Sequence, residues 1–199
     1  MSTIFCLIGK SCSGKDTLLN ILKNDMRLNL RTIVTYTTRP KRENETYGED
    51  YFFISEDVLD EFETSGLIIE ERKYNTVEGT WRYATIDDYQ LEAPNGNYLV
   101  IATLESYKKL KSYFTLIVPI YLQVDDHTRL ERALEREGRQ YEPNYSEICR
   151  RFLEDTKDFS TGNVQACGIT KTYDNTVLSM CVNEIKDDIY KLLRYGSGV

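Results

Sequence analysis

The residues best placed to do chemistry form the stretch GKSCSGKDT, Gly9 to Thr17. Two glycines five apart, with lysine directly after the second, sit between an apolar run and leucines at helical spacing. Glycine permits a tight backbone turn, and successive N–H groups at a helix start can cradle phosphate oxygens. Lys15 is expected to reach the outer phosphates of a triphosphate as a compact positive charge. The loop residues are then Gly9, Ser11, Cys12, Ser13, Gly14, Lys15, Asp16 and Thr17. Motifs of this kind usually carry Ser or Thr after the lysine, where the hydroxyl binds Mg²⁺; here Asp16 holds that place and Thr17 follows. A carboxylate is a hard oxygen ligand, so Asp16 is expected to take over the metal. Cys12 reads as a small residue that fits the loop.

A second cluster lies in TYTTRPKRENETYGEDYFF, Thr35 to Phe53. Arg39 and Arg42 stand three apart around Pro40, followed by Glu45 and Tyr51. Two guanidiniums and a phenol can hold a monophosphate through paired, charge-assisted hydrogen bonds. Taken alone, such a cluster is more often a solvated loop. A third basic segment runs from Arg129 to Phe152. There Arg129, Arg132 and Arg136 fall on one helical face beside glutamates at salt-bridge spacing, and for Arg129 and Arg132 a charged surface stripe is the simpler reading.

The elements that must position these residues follow from periodicity. Thr3 to Ile8 has the profile of a buried parallel strand, and a helix is expected from about Gly14 to Met26. Ile33 to Tyr36 reads as a second strand. Ser55, two acidic residues, then Val58, Leu59 and Phe62 with Gly66 beyond, read as a short capped helix. Leu67–Glu70, Tyr98–Thr103 and Ile120–Val124 read as strands, the last with Pro119 at its first position. Helices are expected over Asp126–Glu137 and Ser146–Lys157, a weak strand over Ile169–Tyr173, and a C-terminal helix marked by Val182, Ile185, Ile189 and Leu192. Strands alternating with helices predict a parallel sheet covered on both faces.

Composition narrows the classes. The chain has 199 residues, 41% of them hydrophobic and 29% charged, which is enough for one α/β domain with a core. A net charge of −7 argues against a duplex nucleic-acid binder. Five cysteines without a C-x-x-C pair, and one histidine, offer no zinc framework, and the odd count fits free thiols in a reducing compartment. The N-terminal apolar run is too short for a signal peptide, and no stretch approaches a membrane span. A cytoplasmic protein with no membrane or nucleic-acid partner is expected.

Read in order, these segments resemble the guanylate kinase family: a phosphate loop, then T-T-R-P-x-R, then E-x-x-G-x-D-Y-F, then GLIIEE (Gly66 to Glu71) and RYAT (Arg82 to Thr85). The resemblance implies a P-loop NTPase fold with a five-stranded parallel sheet core (about 1–33, 91–124 and 158–199), a GMP-binding insert (about 34–90) and a helical lid (about 125–157). It implies phosphoryl transfer from ATP to GMP or dGMP with Mg²⁺, in a monomer or homodimer. Arg39, Arg42, Tyr51 and Tyr83 would hold the acceptor phosphate, with Glu45 buttressing the arginines. Thr35, Glu70 and Thr85 would read guanine, since a carboxylate accepting from both N1–H and the 2-amino group rejects adenine. Lys15, Arg39, Arg136, Arg139 and Arg151 would carry catalysis, with Arg150 competing for the last place. Three departures stand out: Ala84 where the family has glycine, and Ile101 and Thr103 where it has aspartates. The segment Tyr173 to Asn175 resembles the family's purine-side contact. The other readings are a relative with a different acceptor and a catalytically inactive protein-binding module, which would typically lack Gly9, Gly14 and Lys15.

Overall fold

The computed structural model describes residues 2–43, 45–76, 79–93 and 96–195. Five parallel strands make the main sheet: β1 (Thr3–Ile8), β2 (Leu30–Thr32), β7 (Asn97–Ala102), β8 (Ile117–Gln123) and β9 (Thr172–Asp174), in the order β2-β7-β1-β8-β9. Every β1 residue is buried, because helices cover both faces and leave no side of the strand to water. Phe5 and Leu7 face α1 (Lys15–Lys23) and α7 (Leu178–Tyr195), packing with Leu18, Leu22, Val182, Ile185 and Ile189. Ile4, Cys6 and Ile8 face the other way, towards α3 (Leu104–Tyr113) and α6 (Thr161–Ala166), through Leu104, Tyr107, Leu110 and Val164.

A second, mixed sheet stands apart in order β4-β3-β6-β5, built from β3 (Tyr36–Thr37), β4 (Phe52–Phe53), β5 (Ile68–Thr76) and β6 (Gly79–Ile86). One face packs on α2 (Glu56–Thr64) through Tyr36, Phe52, Leu59, Ala84 and Ile86. Arg82 lies on that face, gathering Glu56, Asp60, Glu63 and Glu71 around one buried guanidinium. The opposite face carries Glu70, Arg72, Tyr83 and Thr85 in register, Glu70 against Thr85 and Arg72 against Tyr83. Two further helices, α4 (Asp126–Glu137) and α5 (Tyr145–Asp158), form a pair beside the phosphate loop.

The α4 bounds match expectation and α5 differs by one residue at each end. The Ser55 hydroxyl accepts from Val58 N–H to cap α2, and Gly66 follows at φ 70°. Elsewhere the elements shifted. The run Ile33 to Tyr36 is not one strand: Ile33 belongs to the main core and Val34 and Tyr36 to the second, so the apolar run marks a crossing between two cores. The first helix stops at Lys23, three residues early, and leaves Met26 exposed. Pro119 lies inside β8 rather than at its start; β9 joins β8 only from Tyr121, so the missing N–H falls where β8 is still an edge. The weak strand begins at Thr172 rather than Ile169.

Candidate active site

The loop after β1 takes its shape from its glycines. A Cβ on Gly9 would sit 2.8 Å from the Leu122 carbonyl oxygen and 2.6 Å from Ser13 Oγ. Gly14 has φ 92° and would drive a Cβ to 2.4 Å from Asn175 Nδ2. Only glycine suits either place. Gly14 is the N-cap of α1 and offers no side chain to its first turn, so the N–H groups there remain available to an anion. Lys15 Nζ folds onto the loop, donating to the carbonyls of Gly9 (2.8 Å) and Lys10 (3.0 Å). Burial pushes its pKa below the ordinary lysine value, with Asp16 and Asp155 acting against that fall.

The loop is clamped from outside. Arg129, 2% exposed, is the bulkiest fully buried side chain among the described residues. Its guanidinium lies over the Phe152 ring (5.0 Å) and donates to Ser11 O (3.0 Å), Asp155 Oδ2 (3.3 Å) and Asp126 Oδ1 (2.7 Å). Asp155 Oδ2 in turn accepts the Ser11 N–H at 2.7 Å, so a buried ion pair holds both polar groups of one loop residue. Asn175 donates to Ser13 O (2.8 Å), and Arg132 reaches the carbonyls of Asn175 (3.3 Å) and Cys12 (3.5 Å). The surface-stripe reading of Arg129 and Arg132 is therefore corrected: α4 turns this face onto the loop, and both side chains serve loop carbonyls. Spacing alone missed it, because the partners Ser11 and Asp155 are far away in sequence. Asn175 is the residue of the Tyr173–Asn175 segment that touches the loop.

The arginine cluster is ordered, not a solvated loop. Arg39 is buried and makes a two-pronged pair with Glu45 (Nη1–Oε2 3.0 Å, Nη2–Oε1 2.7 Å), while its Nε donates to Tyr83 Oη at 3.1 Å. Its guanidinium also lies over Tyr51, whose ring meets Tyr83 edge-on at 5.7 Å. Arg42 stays half in solvent and lends only its backbone N–H to Glu45 at close range (2.8 Å). Partial burial, and then the neighbouring charges of Arg39 and Arg151, lower its pKa against the pull of Glu45.

Glu70 is 2% exposed and accepts from Thr85 Oγ1 (3.0 Å) and from Arg72 Nε and Nη2 (3.1 and 3.2 Å). Arg72 escaped the sequence reading because it sits in a charged run, although i, i+2 spacing from Glu70 on a strand puts both on one face. Thr35 precedes β3 and ties to Phe52 through its carbonyl; Tyr36 pairs with Ala84, which sets Thr35 level with Thr85. Ala84 packs among Tyr36, Leu59 and Ile86 beneath α2, so its methyl is core. Ile101 packs with the α1–α7 core, and Thr103 caps α3 in a reciprocal capping box with Ser106. Neither residue supplies a carboxylate; one packs and the other caps.

A cleft of about 660 Å³ lies between the loop, the arginine cluster and the α4–α5 pair, lined among others by Ser11, Cys12, Arg39, Arg42, Arg136 and Arg151; Lys15, Tyr51, Glu70, Tyr83 and Thr85 lie outside this lining. Arg136 makes no side-chain ion pair among the described residues, whereas Arg151 leans on Glu147 at 2.7 Å. Arg139 is not in the cleft: it pairs with Glu135 on the exposed side of α4. Arg150 also lines the cleft, paired with Glu147 and Glu154.

For Mg²⁺, the described residues hold no group of three or more His, Cys, Asp or Glu side chains that could chelate an ion. Asp16, exposed in the first turn of α1 and without a side-chain hydrogen bond or ion pair there, fits an ion whose other ligands are phosphate oxygens and water.

Comparison with known proteins agrees with this geometry. The guanylate kinase family model matches residues 1–149. The chain is 25% identical over 193 residues to the guanylate kinase of Prochlorococcus marinus (strain MIT 9312), covering 96% of each. It is 29% identical over 191 residues to that of Mycoplasma mobile, covering 92% of this chain and 90% of the relative. A shorter match, 40% over 72 residues, links it to the guanylate kinase of Blochmanniella floridana and spans only 34% of that relative. The crystal structure of guanylate kinase from Anaplasma phagocytophilum shares the fold with a TM-score of 0.60 at 20% identity, over 94% of this chain and 84% of that one. A glycine-shaped phosphate loop on a five-stranded parallel sheet is the P-loop NTPase fold, and with the family match it places this chain in the guanylate kinase family of nucleoside-monophosphate kinases.

Proposed function

We propose that this enzyme transfers the γ-phosphoryl group of Mg-ATP to GMP, giving ADP and GDP. The observation that carries the reading is the shared cleft, where the loop residues Ser11 and Cys12 face Arg39, Arg42, Arg136 and Arg151. ATP lies along Gly9–Thr17, and Lys15 leaves its carbonyl partners for the β- and γ-phosphates. Arg39, Arg42, Tyr51 and Tyr83 hold the acceptor phosphate, with Glu45 fixing the Arg39 fork. One oxygen of that phosphate forms a bond to the γ-phosphorus while the β–γ bridging bond breaks, and ADP departs with the bridging oxygen. Arg136 and Arg151 stabilise the charge spreading over the transferring group, and Arg139 joins them only by turning inward. Bound magnesium would neutralise the phosphate oxygens, with Asp16 as its protein ligand.

The insert spans about 34–90 and the lid about 125–157; residues 44 and 77–78 of the insert, and 1, 94–95 and 196–199 of the core, lie outside the described residues. The lid closes over both nucleotides to exclude water. Thr35, Glu70 and Thr85 read guanine. The five free cysteines suit a reducing, cytoplasmic setting, and no described helix is long and apolar enough to cross a membrane. Steady-state assay of GMP, dGMP, AMP and UMP with Mg-ATP tests the reading; GMP or dGMP is expected to dominate by orders of magnitude, and equal use of AMP would end it.

A further inference from the structure

The carboxylate assigned to guanine is already occupied by the protein itself. Of the roughly four lone-pair sites of a carboxylate, Glu70 uses three: one for Arg72 Nε, one for Arg72 Nη2 and one for Thr85 Oγ1. The kind of donor matters more than the number. Nε–H and Nη2–H of a guanidinium are two coplanar, parallel N–H bonds joined through one carbon. The N1–H and 2-amino N–H of guanine are the same N–C–N fragment with the same two bonds. Each needs both oxygens of the carboxylate along one edge, so the two donors compete for one place.

We propose that Arg72 is an internal stand-in for the acceptor base: it fills the Glu70 carboxylate in the free enzyme, is displaced by guanine, and so sets the affinity for the acceptor. This rests on the GMP reading of the site. The displaced guanidinium has somewhere to go. Arg72 pairs in register with Tyr83, its guanidinium carbon is 5.8 Å from that ring, and Tyr74 stands 5.5 Å beyond it on the same face. That aromatic wall can hold a cation released from its carboxylate.

The competition costs each base that takes this edge the same two hydrogen bonds, and the bases differ only in what they return. Guanine takes two hydrogen bonds from Arg72 and returns two. Hypoxanthine has N1–H but no 2-amino group, so it removes two and returns one. Adenine returns none. Arg72 therefore lowers affinity for GMP and IMP alike, and the gap between them stays the one hydrogen bond that Glu70 itself discriminates.

Arg72→Met and Arg72→Lys, which remove the planar donor pair, test this by steady-state kinetics with GMP and IMP. The Met variant is expected to lower KM for GMP and KM for IMP each about tenfold, leaving their ratio unchanged within about twofold, with kcat and KM for ATP within about twofold of wild type. Arg72→Lys shifts both constants the same way by less, and it carries the test if the Met variant fails to fold. A KM for GMP that stays put or rises in a folded Arg72 variant overturns the proposal. Glu70→Gln separates that failure from failure of the GMP reading. If Glu70→Gln raises KM for GMP but the Arg72 variants do not lower it, guanine is read and the stand-in is wrong. If wild type and both variants ignore GMP, both fall; if only the variants accept it, the stand-in is upheld.

Discussion

The two halves of the site are held by different means. Around the donor loop, backbone shape dominates: Gly9 and Gly14 are fixed by contacts that no side chain could survive, and Arg129, Asp155 and Asn175 bind the loop through its peptide groups. On the acceptor sheet, side chain meets side chain: Arg39 with Glu45 and Tyr83, Arg72 with Glu70, Thr85 with Glu70. A triphosphate is common to every donor nucleotide, so a site made of peptide N–H groups need not vary. An acceptor base differs from the next by one or two hydrogen-bonding groups, and side-chain pairs are where one substitution changes the match.

That contrast is open to attack from the largest effect downwards. Arg129→Met breaks the buried pair with Asp155 and frees Ser11 O, and is expected to cost about 3–5 kcal/mol of stability. Arg132→Met, whose bonds are long, should cost less than about 1 kcal/mol. Urea unfolding of both variants checks this; equal losses would show that the loop needs no clamp. Lys15→Ala removes a charge from the triphosphate and should lower kcat by roughly 10²–10³-fold with little loss of stability, read by coupled ADP detection.

On the acceptor side a milder, isosteric change tests binding. Glu45→Gln weakens the brace on Arg39 and is expected to raise KM for GMP about tenfold, worth ~1.4 kcal/mol, while ATP affinity holds. A matching loss of ATP affinity would mean that the two halves are one unit. The smallest effect is a proton. Lys15 has a lowered pKa in the free loop, and a bound triphosphate raises it. Binding must then take up a fraction of a proton between those two values, so affinity falls as pH climbs through that window. Calorimetry of ATP binding in two buffers of different ionisation enthalpy measures the uptake, and identical heats would refute it.

Much was legible in the chain itself. The glycine spacing at Gly9 and Gly14, the Ser55 cap and the bounds of α4 are local, and short-range sterics and capping enforce them wherever the segment sits. The pairing of Arg39 with Glu45 was implied by the family resemblance, and it too is short-range, six residues apart. What failed was long-range. The buried role of Arg129 depends on Ser11 and Asp155, 118 and 26 residues away. Thr103 became a helix cap rather than a strand end because α3, unseen in the pattern, starts there.

By itself, then, the sequence determined the phosphate loop, the alternation that makes a parallel sheet, and the family to which its motifs belong. Only tertiary structure decided which charges face each other. A guanidinium costs the same to desolvate whatever its neighbours in sequence, and whether it is buried depends on a carboxylate or carbonyl brought from elsewhere in the chain. Arg129 is buried for that reason, while Arg139, with the same chemistry and a glutamate one turn away, stays in water.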